Sequence, residues 1–400
     1  MPSNAPHDPS KSLHEETRAI RTQTERSTQR EHATSIFMTS SFLFDDAEHA
    51  RALFAKERSG NIYARYSNPS VDEFVVKMCE LEEAADGIAV ASGMSAVFTG
   101  LAGLLKSGDH ILASRSVFGS THQILTQLLP RWGITHSYAD IEAPERWEAL
   151  IQPNTKICYV ETPSNPALDL IDLDWLAGLC KARGVLLFVD NIFATPILQK
   201  PMRHGADLVM HSATKYIDGQ GRGIGGVILG SAEIIEPIRF FARHTGPSLS
   251  PFNAWMFSKS LETLAVRMER HCANALALAR FLEGHPGVEF VKYPYLPSHP
   301  QHELARRQMS AGGGVVTFGV KGGIEQGRRF LDALALCSLS ANLGDTRSIA
   351  THPASTTHSS LSEEDRQAVG ILPGLVRISV GLEHIDDIVA DIDQALNRSA

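Results

Sequence analysis

Between residues 87 and 230 the chain alternates short, continuously apolar runs with segments of helical periodicity. The runs are "GIAVA", "HILAS", "KICYVE", "VLLFVD", "LVMH" and "GGVILG", and helix-like segments such as "MSAVFTGLAGLL" and "LDWLAGLCKARG" lie between them. A strand that is apolar on both faces needs helices on both sides, which is the arrangement of a mainly parallel sheet. The pattern therefore predicts an α/β domain in this region.

The segments on either side of this region have different patterns. The first 70 residues are polar and irregular, and Ser70 with Glu73 has the spacing of a capping box, which predicts a helix start. A long helical pattern covers about 254–282, and strands "VEFVKY", "GGVVTFGV" and "LVRISVG" with two helical segments follow it. This predicts three parts. They are an N-terminal arm over 1–70, the α/β domain over 71–259 and a smaller α+β domain over 260–400.

Composition and charge exclude several classes of function. The formal net charge is −8, so no basic surplus is available to neutralise a nucleic acid. No run of about 18 apolar residues occurs and no signal peptide is recognised, so we expect a cytoplasmic protein without membrane contact. The five cysteines form no CxxC pair, and His299 and His302 have no further zinc ligand at suitable spacing, so no metal site is expected.

Two of the apolar strands end in residues that could bind a ligand. In an open α/β sheet, ligands bind outside the carboxyl ends of the strands. In "IAVASGMSA" a strand passes through Gly93 and Met94 into a helix whose first N–H groups would bind an anion, although a plain tight turn explains this stretch equally well. In "VLLFVDN", Asp190 ends a strand, where a buried carboxylate needs either backbone donors or a protonated ring nitrogen as partner.

A third strand end carries a lysine. The segment "LVMHSATKYIDG" places Lys215 just past a strand, behind Ser212 and Thr214. Desolvation lowers a lysine pKa from about 10.4, which yields an amine that can condense with an aldehyde; a surface lysine in a loop is the alternative. The two hydroxyls could donate hydrogen bonds to a phosphate. With Gly93 and Asp190, this strand end meets the requirements of pyridoxal 5′-phosphate (PLP), namely an anion site, a carboxylate and an amine.

Several longer motifs resemble those of the Cys/Met metabolism family of PLP-dependent enzymes, which have the type I fold. The likeness extends from about residue 34 to the C-terminus, and its motifs are "YARYSNPS", "ASGMSA", "VETPSNP", "VDNIFATP", "HSATKYIDG", "HPASTTH" and "RISVGLEH". The resemblance implies that Lys215 binds the cofactor aldehyde and moves protons, and that Asp190 pairs with the ring nitrogen. The phosphate would be held by Gly93, Met94, Ser212 and Thr214.

The resemblance also implies roles for residues outside these strand ends. Tyr63 and Arg65 would reach the cofactor phosphate of a neighbouring subunit, which implies at least a dimer and favours a tetramer. Asn165 and Arg377 would bind substrate or cofactor oxygens, with Arg377 holding the α-carboxylate in a bidentate fork. An ion pair between Arg377 and Glu383 is the structural alternative.

Two positions indicate a branch of the family. Phe118 stands where many members stack a tyrosine on the cofactor ring, so it would stack but could not transfer a proton. The segments "VFGST", "SLSANLGDTRS" and "GPSLSPFNAW" look most like the O-succinylhomoserine sulfhydrylases, and Asn342 would bind substrate. The resemblance thus implies that O-succinylhomoserine and sulfide give homocysteine and succinate, in methionine biosynthesis.

Other readings stay open at this point. O-acetylhomoserine sulfhydrylases, cystathionine γ-synthases and methionine γ-lyases share every cofactor residue with this branch. A nucleotide-binding oxidoreductase would show GxGxxG after the first strand, where "ASGMSA" stands. A homologue without activity would be expected to have lost Lys215 or Asp190, and both are present.

Overall fold

A computed structural model describes residues 13–356, 363 and 370–399. Among them, the larger sheet contains seven strands in the order β1-β7-β6-β5-β4-β2-β3. The strands are β1 (Asp86–Val90), β2 (His110–Ser114), β3 (Thr135–Ala139), β4 (Thr155–Glu161), β5 (Leu186–Asp190), β6 (Leu208–Ser212) and β7 (Gly226–Gly230). Only β7 runs antiparallel to its neighbours, β1 and β6. The predicted mainly parallel sheet is confirmed.

Helices cover both faces of this sheet, as its apolar strands require. Those within the region are α4 (Gly93–Leu104), α5 (Gly119–Gln123), α6 (Trp147–Leu150), α7 (Leu173–Arg183), α8 (Thr195–Leu198) and α9 (Ala232–Thr245). Successive strand residues enter opposite cores: Ile157 and Tyr159 join one apolar cluster, and Cys158 and Val160 join the other. This alternation shows that the strands are buried on both sides.

The N-terminal arm is more regular than its polar sequence predicts. It contains α1 (Glu15–Arg21) and α2 (Ala47–Phe54), and α3 (Pro69–Glu82) follows. The predicted capping box is wrong, because the N-cap is Asn68, whose side chain accepts a hydrogen bond from the Ser70 N–H. Pro69 occupies the first helical position, where its fixed φ suits the helix and its missing N–H costs nothing. Residues 1–12 of the predicted arm lie outside the described residues.

The C-terminal part forms a second, smaller sheet with its own helices. The predicted long helix is two helices, α10 (Pro251–Leu261) and α11 (Leu264–Glu283), interrupted at 262–263. Beyond them lie β8 (Val288–Lys292), α12 (His302–Gln308), β9 (Val315–Val320), α13 (Gly323–Ala333), β10 (Ser338–Leu339), β11 (Ile349–Thr351), β12 (Leu375–Ser379) and α14 (Ile385–Ser399). The strand order is β10-β11-β12-β9-β8. The part boundaries at 70/71 and 259/260 stay predictions.

Along the described chain, none of the helices has both the length and the apolar character that crossing a bilayer would require.

Candidate active site

A cavity opens at the carboxyl ends of β4, β5 and β6, where the larger sheet meets the C-terminal part. Nine of the residues singled out in the sequence line it: Gly93, Met94, Phe118, Asn165, Asp190, Ser212, Thr214, Lys215 and Arg377. Because β4, β5 and β6 run parallel, the polar residues that follow them meet at one edge. The three features that the sequence analysis combined therefore share one site.

Lys215 is held at the cavity wall by a turn just past β6. Its N–H donates to the Ser212 carbonyl at 3.2 Å, and its Nζ donates to Oδ1 of Asn342 at 2.5 Å. Burial, and then the positive charge of Arg377, lower the pKa of this lysine to about 8. The amine is therefore far easier to deprotonate near neutral pH than an exposed lysine.

Asp190 ends β5 with its side chain only 3% exposed. The Ile192 N–H donates to its Oδ1 at 3.1 Å, and the Tyr159 hydroxyl donates to its Oδ2 at 3.3 Å. Burial raises the pKa of this carboxyl to about 6. No lysine or arginine within the described ranges forms an ion pair with it, so a cationic group placed in the cavity would gain a buried counter-ion.

The start of α4 and the Ser212 hydroxyl come together to form an anion cradle. A Cβ at Gly93 would lie 2.6 Å from Cβ and 2.9 Å from Oγ of Ser212, so only glycine permits this approach. The Ser92 side chain caps the helix, and the Thr214 hydroxyl accepts a hydrogen bond from the Gly225 N–H at 3.2 Å. A helix N-terminus of this kind presents unpaired N–H groups to an anion such as a phosphate.

Arg377 on β12 is buried with donors aimed at both neighbouring loops. One terminal nitrogen donates to Asn165 Oδ1 at 2.9 Å and the other to the Asn342 carbonyl at 3.0 Å. Its Nε is buried without a partner in the portion of the chain that is described. Glu383 instead accepts hydrogen bonds from the backbone and side chain of Ser348. The alternative of an Arg377–Glu383 ion pair is wrong, and the guanidinium can receive a carboxylate.

Glu161 is a cavity residue that the sequence analysis missed. It ends β4 directly opposite Asp190 in the strand register, and its Oε2 accepts a hydrogen bond from the Phe118 N–H at 2.8 Å. Burial, and then the charge of Asp190, raise the pKa of this carboxyl well above its usual value. The signal was available, because "KICYVE" ends in a carboxylate in the same way as "VLLFVD".

Two predicted residues do not reach the cavity of their own chain. Tyr63 is 41% exposed and pairs with Ser41 through a β-bridge. The Arg65 guanidinium lies over the rings of Tyr63 and Tyr66, at 5.4 and 5.0 Å from their centroids, and donates to the Arg243 carbonyl. A role for this pair at a site therefore requires a second copy of the chain.

Comparison with known proteins shows which family has this arrangement. The sequence profile described as Cys/Met metabolism PLP-dependent enzyme matches residues 16–397. The chain belongs to this family. The recognition made from the motifs is confirmed, and so are the fold class and the PLP cofactor. The last residues of the "HPASTTH" motif lie outside the described residues.

Three similar proteins illustrate the range of activities in the family. An O-succinylhomoserine sulfhydrylase of Pseudomonas aeruginosa is 51% identical over 95% of this chain and 94% of its own. An L-methionine gamma-lyase of Porphyromonas gingivalis is 43% identical over 91% of this chain and 92% of its own. A solved structure, an O-acetylhomoserine (thiol)-lyase of Campylobacter jejuni, has a TM-score of 0.93 at 35% identity, covers 96% of this chain and 100% of its own, and contains N'-pyridoxyl-lysine-5'-monophosphate.

The cavity residues fit PLP on structural grounds as well. A side chain at Gly93 would collide with Ser212, so glycine lets the start of α4 and Ser212 lie together in the cavity wall, where both would contact a phosphate. Asp190 is a buried carboxyl that lacks a cationic partner among the described residues, which suits a protonated ring nitrogen. The Lys215 amine, with its lowered pKa, suits the aldehyde.

Proposed function

We propose that the chain converts O-succinylhomoserine and sulfide into homocysteine and succinate. The choice of this reaction rests on the near-full-length likeness to a sulfhydrylase. The cavity supports the chemistry, because a deprotonatable amine, a carboxylate receptor and an anion cradle share it. In the balanced reaction, the Cγ–O bond breaks, succinate leaves with the electron pair, and a Cγ–S bond forms.

Different residues of this chain have different roles in the proposed reaction. When bound, PLP supplies an electron sink for negative charge that develops on the substrate carbons. The Lys215 amine takes protons from these carbons and returns them, and Asn342 Oδ1 orients the amine by accepting its hydrogen bond. Asp190 would pair with the ring nitrogen and keep it protonated. Phe118 lines the cavity without a hydroxyl, so Lys215, or a tyrosine such as Tyr63 from a neighbouring copy, would take over that proton transfer.

Substrate position is set by Arg377 and its neighbours. The guanidinium is held by Asn165 and Asn342, and its free Nε can donate to the α-carboxylate of an amino acid. Ser212, Thr214 and the start of α4 would hold the phosphate of the cofactor. Because Lys215 lines the same cavity, a substrate held by Arg377 would be bound within reach of its amine, and such positioning accounts for much of enzymatic rate acceleration.

The proposed reaction is tested by supplying each ester with each sulfur donor. Purified holoenzyme receives O-succinylhomoserine or O-acetylhomoserine with sulfide or cysteine, and separately methionine alone, and mass spectrometry identifies the products. We expect homocysteine to be the main product and the succinyl ester with sulfide to be the best pair. Cystathionine from cysteine, turnover of the acetyl ester only, or 2-oxobutanoate from methionine would each assign the chain to another branch.

We also propose that Tyr63 and Arg65 complete the site of a neighbouring copy, in at least a dimer and most simply a tetramer. Two observations support this proposal. Neither residue lines the cavity of its own chain, and the Tyr63 side chain is exposed. The predicted cytoplasmic location stays a prediction.

Shared sites predict complementation between two inactive variants. Arg65→Ala and Lys215→Ala are each expected to lose activity, but mixed dimers would contain one intact site built from both copies. Co-refolding equal amounts should therefore recover about a quarter of the wild-type activity. The variants kept apart are the controls. No recovery after verified subunit exchange would show that Arg65 acts within its own chain or outside the site.

A further inference from the structure

We infer that Glu161 is a positioning residue that holds the Phe118 ring at the cofactor plane. The inference rests on the proposed role of the cavity as the cofactor site but not on the choice of substrate. It assigns a function to a buried carboxyl that the reaction itself does not use.

The first step is the way in which Phe118 is attached to the protein. Its side chain is 44% exposed, so core packing does not fix the ring. Its neighbour Val117 is buried, and α5 begins at Gly119 without a side-chain cap. The Phe118 N–H donates to Glu161 Oε2 at 2.8 Å, and this bond joins the loop to the end of β4. The ring position therefore depends on a contact made by the Phe118 backbone.

The second step is the position of Glu161 itself. It ends a central strand and is paired in register with Asp190, so its carboxyl is fixed relative to the group proposed to hold the ring nitrogen. The Asn165 N–H also interacts with this carboxyl. Asn165 in turn accepts a hydrogen bond from Arg377. One side chain thus connects the loop of Phe118 with the loop that orients the substrate-binding guanidinium.

The third step is the set of contacts that offsets the burial of the Glu161 carboxyl. Its side chain is 3% exposed, and no lysine or arginine in the described portion of the chain pairs with it. Burying such a group is unfavourable unless hydrogen bonds compensate. The compensation comes from the backbone N–H groups of Phe118 and Asn165, with a further contribution from the more distant charge of Arg377. The carboxyl therefore ties the two loops that carry these N–H groups to the end of β4.

The test uses variants that keep or remove the acceptor at nearly constant volume. Glu161→Gln retains an oxygen for the Phe118 N–H, and Glu161→Leu removes it; Phe118→Leu removes the ring. We expect Glu161→Leu to change the visible circular dichroism of the bound cofactor in the same direction as Phe118→Leu and to lower kcat about 10-fold. Glu161→Gln should keep both the cofactor dichroism and kcat close to the wild-type values. Glu73→Gln, at a buried carboxyl outside the cavity, is the matched control.

The double variant decides whether Glu161 acts through Phe118. If it does, Glu161→Leu with Phe118→Leu has the same cofactor dichroism as Phe118→Leu alone, because the ring is already absent. A further change of the dichroism in the double variant, or an unchanged dichroism in a folded Glu161→Leu protein, would overturn the inference. Should Glu161→Leu not fold, Glu161→Ala replaces it. Because the dichroism needs no substrate, failure of the proposed reaction is recognised separately.

Discussion

Replacing Lys215 with alanine should lower kcat/KM for the proposed reaction by at least about 1,000-fold, because the chain loses the amine that we propose as the proton carrier. The Lys215 side chain is partly buried, and this burial and the charge of Arg377 lower the pKa of its amine to about 8. Steady-state homocysteine formation measures the effect, and far-ultraviolet circular dichroism verifies folding. Lys56→Ala is the control, because Lys56 is exposed and pairs with Glu236 at the surface.

The lowered pKa gives this prediction a second readout. The amine must be uncharged to condense with an aldehyde, so the rate of PLP uptake by apoenzyme should rise with pH and level off above about 8. An ordinary lysine would continue to respond up to about 10.4. A Lys215→Ala protein that kept more than a hundredth of wild-type turnover would show that another group moves the protons.

The strands that carry the site could be predicted because a doubly covered strand has to be apolar throughout. "VLLFVD" and "LVMH" follow this rule, and parallel strands then bring Asp190 and Lys215 to one edge. The strand Thr135–Ala139 was missed because it lies at the end of the sheet, where only Ala139 is fully buried. An edge strand does not need an apolar sequence, so periodicity could not reveal it.

The contacts between distant segments were harder to predict. The hydrogen bond from Lys215 to Asn342 joins residues 127 positions apart, and the one from Arg377 to Asn165 joins residues 212 apart. Local patterns carry no information on such pairs, and only the family resemblance had brought Asn165, Asn342 and Arg377 into the site. The sequence placed Glu161 at the end of a strand, as it did Asp190, but its contact with the Phe118 N–H joins residues 43 positions apart and could not be predicted from a local pattern.

Replacing Asp190 with asparagine should lower kcat/KM by about 100- to 1,000-fold, the usual cost of losing one charged group that stabilises developing charge. The amide keeps an acceptor for the Ile192 N–H and the shape of the side chain, but it removes the negative charge that we propose as the partner of the cofactor ring nitrogen. A ring nitrogen that is not held protonated is a poorer electron sink, so kcat should fall even at saturating PLP.

Asp207→Asn is the matched control for this substitution. Asp207 precedes β6 outside the cavity, where its Oδ2 accepts a hydrogen bond from the Leu187 N–H at 2.8 Å, and burial raises its pKa as it does that of Asp190. Both variants exchange a partly or fully buried carboxyl for an amide, but only Asp190 lines the cofactor cavity. Activity should therefore fall only in Asp190→Asn, with similar far-ultraviolet dichroism in both. Equal activities in the two variants would show that Asp190 does not control the electronic state of the cofactor and contributes to packing alone.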